Sequence, residues 1–339
     1  MDFHLLWFLL LGVLLGGYAV LDGFDLGVGI LHPFLAKTDA ERRIFMNAIG
    51  PTWDGNEVWL ITFGGALFAA FPDAYATLFS GFYLALMAVL FALILRAVSL
   101  EFRSKLQGGF WRSFWDFLFF LGSFLAAVLL GVAGGNVLMG IPIGRNWEFT
   151  GNFLTLLRPF PILTGLLTAA LLALHGAAFL QLKTAGELRS RINRAARKIY
   201  WVFLVLFLAA LAWGYMKAPY LKSNFQKYPW AWAVVGAAVL VLLWHYRCLL
   251  KEKAGRAFLG STILTLGAIF LFAFGLFPNI LISSTDPAWN MTIYNASSSL
   301  QTLKTMAVIA GIGMPVVLIY TAFIYWIFRG KVQLEETSY

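Results

Sequence analysis

Polar residues are sparse along this chain, and they punctuate runs of about 20 apolar positions, the length that crosses a bilayer core as one helix. Nine such runs can be marked, at about 4–34, 51–71, 75–97, 114–138, 159–181, 199–216, 229–247, 257–281 and 304–328. Lipid offers the backbone no hydrogen bonds, so each run predicts a helix that satisfies its own peptide groups. The pattern therefore predicts an all-α, polytopic membrane protein with nine transmembrane helices, a single integral membrane domain over 1–339. No basic stretch precedes the first run and no small-residue cleavage site follows "MDFHLLWFLLLGVLLGG", which reads as an uncleaved first span.

Composition agrees: 60% of the 339 residues are hydrophobic and only 12% charged, against about one-quarter charged in soluble domains. The single cysteine, Cys248, excludes an intrachain disulfide and a cysteine-based metal site. The net charge of +9 would suggest nucleic acid in a soluble protein. Here the basic residues sit between spans, where they orient the chain, and no nucleic-acid partner is expected. With nine spans, 19 of the 25 Lys and Arg residues fall on one side and 6 on the other. That imbalance predicts an outside N-terminus and a cytoplasmic C-terminus. The outer loops, about 139–158, 217–228 and 282–303, are rich in aromatics and amides; "NMT" and "NAS" in the last match a glycosylation pattern that is read as coincidence.

Four acids interrupt the pattern. In "GPTWDGNEVW", Asp54 and Glu57 stand at the mouth of the second run. Crossing about 30 Å at 1.5 Å per residue needs about 20 residues, and counting back from Phe71 places both acids within the inner edge of the bilayer. Pro51 suits a first helical turn, and carboxylates there suit the positive end of the helix dipole. In "VLDGFDLGVG", Asp22 and Asp25 reach a similar depth from the other direction, and each pair, three apart, shares a helix face. Glycines near four-residue spacing in the first run permit close helix approach. Four carboxyl groups are thus expected at one depth. They either cap helix ends and pair with Arg96 or Arg103, or they carry protons: carboxyls that repel when all are ionised can share a proton. No metal cage follows from two Asp pairs alone.

The histidines offer less. His4 lies at the outer end, His32 before Pro33, His175 within the fifth span and His245 at the inner end of the seventh. His175, beside Gly176, reads as a hydrogen-bonded core residue rather than a haem ligand. Asp116 reads as a solvated cap or a partner for Arg112.

At these residues the sequence resembles subunit II of the cytochrome bd quinol oxidases. The stretches that carry the likeness are "AVLDGFDLGVGIL", "ERRIFMNAIGPTWDGNEVWLITFGGALFAAFPDAYA", "SGFYLALMAVLFALILRAVSLEFRSK", "FTGNFLTLLRPFPILTGLLTAALLALHGAAFLQLKTAGEL" and "SSTDPAWNMTIYNASSSLQTLKTM". They run in order from the first span to the last outer loop. The resemblance implies a fold of two four-helix bundles plus one peripheral helix in the bacterial cytoplasmic (inner) membrane. It implies a complex that oxidises a quinol at the outer face and reduces O2 to water with cytoplasmic protons. Haem b and haem d would belong to the partner, subunit I, with no cofactor or catalytic residue on this chain. Room is left for a structural quinone, membrane lipid and a small single-helix accessory subunit. The acid of the "WDGN" motif would line a proton route, a role that carries over to Asp54 and, less directly, to Asp22 and Asp25. Glu57 is nominated by spacing alone, and Arg96 as a counter-charge, with Asp25 the partner to test. A proton-coupled secondary transporter would share the carboxylates but should break its helices near the midplane. A stand-alone cytochrome b would need facing His pairs, and a pure scaffold would look the same in sequence.

Overall fold

The first apolar run becomes α1 (Phe3–Leu35), whose start is capped by Asp2 and whose buried residues extend almost unbroken from Asp22 to His32. The computed structural model describes residues 1–334. After α1 come α2 (Asp39–Ile49), α3 (Trp53–Ala70), α4 (Pro72–Gly81), α5 (Tyr83–Phe102), α6 (Gly109–Met139), α7 (Pro159–Lys183), α8 (Gly186–Lys217), α9 (Leu221–Lys227), α10 (Ala231–Leu250), α11 (Ala254–Leu276) and α12 (Leu300–Ile327). Among the described residues, eight helices are long and apolar enough to cross a membrane. The second predicted run, 51–71, is α3, whose Asp54, Asn56 and Glu57 lower its hydropathy and keep it out of that set.

Several boundaries differ from expectation. The predicted span 75–97 is broken at Phe82 into α4 and α5, so only α5 has the length to cross. Residues 35–50, read as a loop, hold α2, started by a capping box between Thr38 and Glu41. The predicted span 257–281 ends at Leu276; beyond Pro278 the chain turns into a short strand β1 (Asn279–Leu281), antiparallel to β2 (Met291–Thr292). α8 begins 13 residues before the predicted 199, because its basic first turns continue the helix past the apolar stretch.

α1, α6 and α7 pack against one another at the centre, with α3 and α5 on one flank and α8, α10 and α11 on the other. Glycines let the central helices touch through their backbones. A Cβ on Gly176 of α7 would stand 2.5 Å from the carbonyl carbon of Gly27 on α1. α12 lies outermost, against α1 and α3, and Leu303 is its one buried residue.

The loops gather at two ends. At one, Arg191 donates to Leu35 O, Arg189 to Glu252 O and Lys183 to Phe328 O. At the other, Ile141 N donates to Ile282 O, Asn290 to the Tyr220 hydroxyl, and Trp7 to Leu303 O. Lys183, Arg189 and Arg191 at the first end are among the basic residues that the sequence assigns to one side.

Candidate functional site: a buried carboxylate cluster

Asp22 and Asp25 lie on α1 where it faces α3 and α5, and both are fully enclosed. Arg96 of α5, also fully buried, donates from Nη1 to Asp22 Oδ1 at 2.6 Å and from Nη2 to Glu57 Oε2 of α3 at 3.2 Å. Its turn of helix is held against α6 by Gly122, where a Cβ would come within 2.8 Å of Arg96 N. A side chain there would force the α5 backbone away from α6. Arg96 is therefore a counter-charge in this geometry, bonded to Asp22 and Glu57 and not to Asp25, the partner expected from sequence.

Asp25 is held differently. Asn56 of α3, 2% exposed, donates from Nδ2 to Asp25 Oδ2 at 2.8 Å, and Tyr325 of α12 donates its hydroxyl to Asn56 Oδ1 at 2.7 Å. Asp22 Oδ2, Asp25 Oδ1, Arg96 Nε and the Tyr18 hydroxyl are buried with no partner among the described residues. Two carboxyls, Asp22 and Glu57, thus share one guanidinium, and a third, the enclosed Asp25, is bonded by an amide instead. A structural ion pair needs one carboxylate per arginine, and each surplus buried anion costs several kcal/mol unless a proton or polar group accompanies it. The arrangement suits groups that take up and release protons.

Asp54 stands apart. It is exposed on α3 and makes no ion pair among the described residues; it heads a stripe continued by Val58, Ile61, Gly65 and Phe68. Glu57, its side chain 20% exposed, lies one turn further on, between Asp54 and the enclosed pair. The structure therefore joins Asp22 and Glu57 through Arg96, sets Asp25 beside them, and leaves Asp54 on an open face.

Asn56 and Tyr325 escaped the sequence reading. An amide between two acids in an apolar helix is a signal that could have been read. Tyr325 offered none, since a tyrosine at a span end reads as a membrane-interface residue.

A second cluster corrects the reading of Asp116. It is buried, accepts from Arg103 Nε at 2.5 Å and from Arg42 Nη1 at 2.7 Å, and stands 3.5 Å from His32 Nε2. Arg112 bonds Asp39 instead, at 3.1 Å. Burial opposes ionisation of Asp39 and Glu41, yet hydrogen bonds from Arg103 to Asp39 and from Arg191 to Glu41 hold both carboxyls below the usual range.

His175 bonds Ser261 Oγ at 2.8 Å through Nδ1 and Val20 O at 3.0 Å through Nε2, so both ring nitrogens are committed. His4 meets Ser297, and His32 points at Asp116. His245 has no bonded partner among the described residues and packs closely on Gly260 of α11. Among the described residues no group of three or more His, Cys, Asp or Glu side chains is placed to hold a metal ion.

The family model described as cytochrome bd terminal oxidase subunit II matches residues 3–328. The chain belongs to that family. Cytochrome bd-I ubiquinol oxidase subunit 2 of Escherichia coli (strain K12) is 41% identical over 362 residues, covering 98% of this chain and 95% of that one. Cytochrome bd ubiquinol oxidase subunit 2 of Bacillus subtilis (strain 168) is 37% identical, covering 98% of each. The bd oxidase structure from Geobacillus thermodenitrificans superposes with a TM-score of 0.80 over 97% of this chain and 99% of that one; at 16% identity this likeness concerns the fold. Membership makes the chain one subunit of a cytochrome bd-type quinol oxidase of the respiratory chain, paired with a subunit I, and a multi-pass membrane protein. The family implies haem in the oxidase.

Proposed function

We propose that this subunit II supports the haem-bearing subunit I and supplies part of the route by which cytoplasmic protons reach the site of O2 reduction. In this reading haem b and haem d reside in subunit I, the N-terminus is outside, and α3 crosses the membrane as a ninth span with its acids at the cytoplasmic edge. Reduction of O2 to water consumes a proton with every electron delivered, so a haem site enclosed in the membrane needs a polar path from the aqueous side. Asp54 accepts the proton at the start of α3, and Asp22, Asp25 and Glu57 share it beside Arg96 on its way to subunit I. The open stripe of α3 below Asp54 packs against that partner.

The observation that carries this reading is the surplus of carboxyls at one buried guanidinium: Asp22 and the part-exposed Glu57 bond Arg96, the enclosed Asp25 lies beside them, and oxygens of Asp22 and Asp25 are unpartnered. Intramembrane acids that face a bundle interior commonly mark proton paths. The bonds of Arg96 to two other helices favour a second reading, in which the cluster only fastens α1, α3 and α5 together. Asp54→Asn separates the two, since it removes a titratable group that fastens nothing. O2 consumption at saturating quinol is expected to fall by at least about tenfold with the haem spectra of the assembled oxidase unchanged. Unaltered turnover in the assembled oxidase would sink the relay and leave the fastening role.

A further inference from the structure

The chain of bonds that ends on Asp25 has a direction. A primary amide has one accepting end and one donating end, and Asn56 uses both: the carbonyl toward Tyr325, the N–H toward Asp25 Oδ2. Turned over, the amide would point its oxygen at a carboxylate oxygen, two acceptors face to face. That orientation is tolerable only when Asp25 carries a proton on Oδ2 and the tyrosine hydroxyl accepts rather than donates. The two orientations of Asn56 thus correspond to two states of Asp25, and whatever fixes the amide biases the acid.

We propose that Tyr325 is a positioning residue for Asp25: by donating to Asn56 Oδ1 it locks the amide N–H onto Asp25 Oδ2, which leaves Oδ1 as the atom that receives the proton. The inference rests on Asp25 being part of the relay. Tyr325 is well placed for this role. Its ring packs edge-on against Phe24, one residue before Asp25 in sequence, with centroids 6.3 Å apart at 86°. Its helix is set at the same end by Lys183 Nζ donating to Phe328 O and by Val332 N donating to Lys183 O. The hydroxyl therefore arrives at Asn56 from a fixed direction, while Asp25 Oδ1 is buried and has no protein partner among the described residues. The outermost helix of the subunit thereby reaches the enclosed acid without touching it.

The charged and titratable groups that act on Asp25 are Asp22 on α1, Glu57 on α3, Arg96 on α5 and, through Asn56, Tyr325 on α12. None but the last changes in Tyr325→Phe, which deletes one oxygen and keeps the ring on Phe24. A hydrogen bond donated to the ionised form of an acid favours that form. Freed from the tyrosine, the amide can follow the proton, and Asp25 holds its proton more readily.

The test uses the assembled oxidase with the Tyr325→Phe subunit. The acid limb of the turnover–pH profile is expected to move to higher pH by about one unit, which lowers turnover up to about tenfold on that limb and leaves the alkaline plateau unchanged. In the infrared difference spectrum the carboxyl carbonyl band missing from Asp25→Asn should shift in frequency. Asn56→Leu removes the N–H at similar size without adding a charge, so it should move the profile the same way and further; it decides the matter if Tyr325→Phe fails to assemble. A profile that stays in place in these variants together with an unshifted band overturns the positioning role, as does a profile that moves without the band. Asp25→Asn keeps the two ideas apart. Full turnover there ends the relay, though a shifted band in Tyr325→Phe would still establish the lock. Lost turnover there with an unmoved Tyr325→Phe ends the lock alone.

Discussion

Arg96 sets the terms at the scale of single residues. Its guanidinium is fully buried and satisfies Asp22 and Glu57 at once, so removing it would strand two carboxylates against apolar helices. Arg96→Met is expected to cost about 3–5 kcal/mol, read as a lower unfolding temperature of the purified oxidase in detergent. Adding Asp22→Leu to that background should restore part of the loss, because the stranded anion goes with it. An unchanged unfolding temperature in the single variant would show that the acids do not depend on the arginine. Much of this site was legible beforehand: acids three apart on α1 and on α3, and an arginine in an apolar helix. Which acid met which cation was not. Asp116 looked solvated because it sits near a span start beside Arg112, yet it is enclosed by Arg103 and Arg42, which come from other helices. Pairing across a bundle depends on helix rotation, and periodicity in one helix does not fix its rotation against its neighbours.

Helices were easier to read than the joints between them. Long apolar runs leave the backbone one way to satisfy itself, so α1 and α7 begin and end near their predicted limits. The misses fall where apolarity and helicity part company: α2 is helical but amphipathic and short, α8 stays helical through a basic stretch, and the break at Phe82 interrupts an apolar run. The contact that fixes the centre is equally specific. α1 and α7 meet backbone to backbone at Gly27 and Gly176, and neither side has a flexible atom to yield. Gly27→Ala is expected to destabilise the subunit by about 3 kcal/mol or more and to cut the yield of assembled oxidase. Gly12→Ala, where a Cβ would meet nothing within 4 Å, should leave the yield unaltered and serves as the matched control.

Taken whole, the molecule presents two unlike kinds of surface. Around α7 the helices are mutually covered, whereas α12 and one stripe of α3 are open along their length. The α3 stripe is headed by Asp54 and contains Gly65, where a Cβ would meet no atom of this chain within 4 Å. Gly65→Trp should therefore leave the isolated subunit intact yet obstruct a partner pressed against that face. Reduced recovery of subunit I in pull-downs, at constant amounts of the variant chain, is the expected result. Undiminished recovery would assign the stripe to lipid.

The hydroxyl of Tyr325 and the amide of Asn56 are separated by 269 positions of chain. A ribosome inserting this polypeptide lays down α1 and α3 long before it makes α12, so for most of translation the asparagine has no neighbour to choose its orientation. The last clasp on the acid closes only after the rest of the bundle has been delivered to the bilayer.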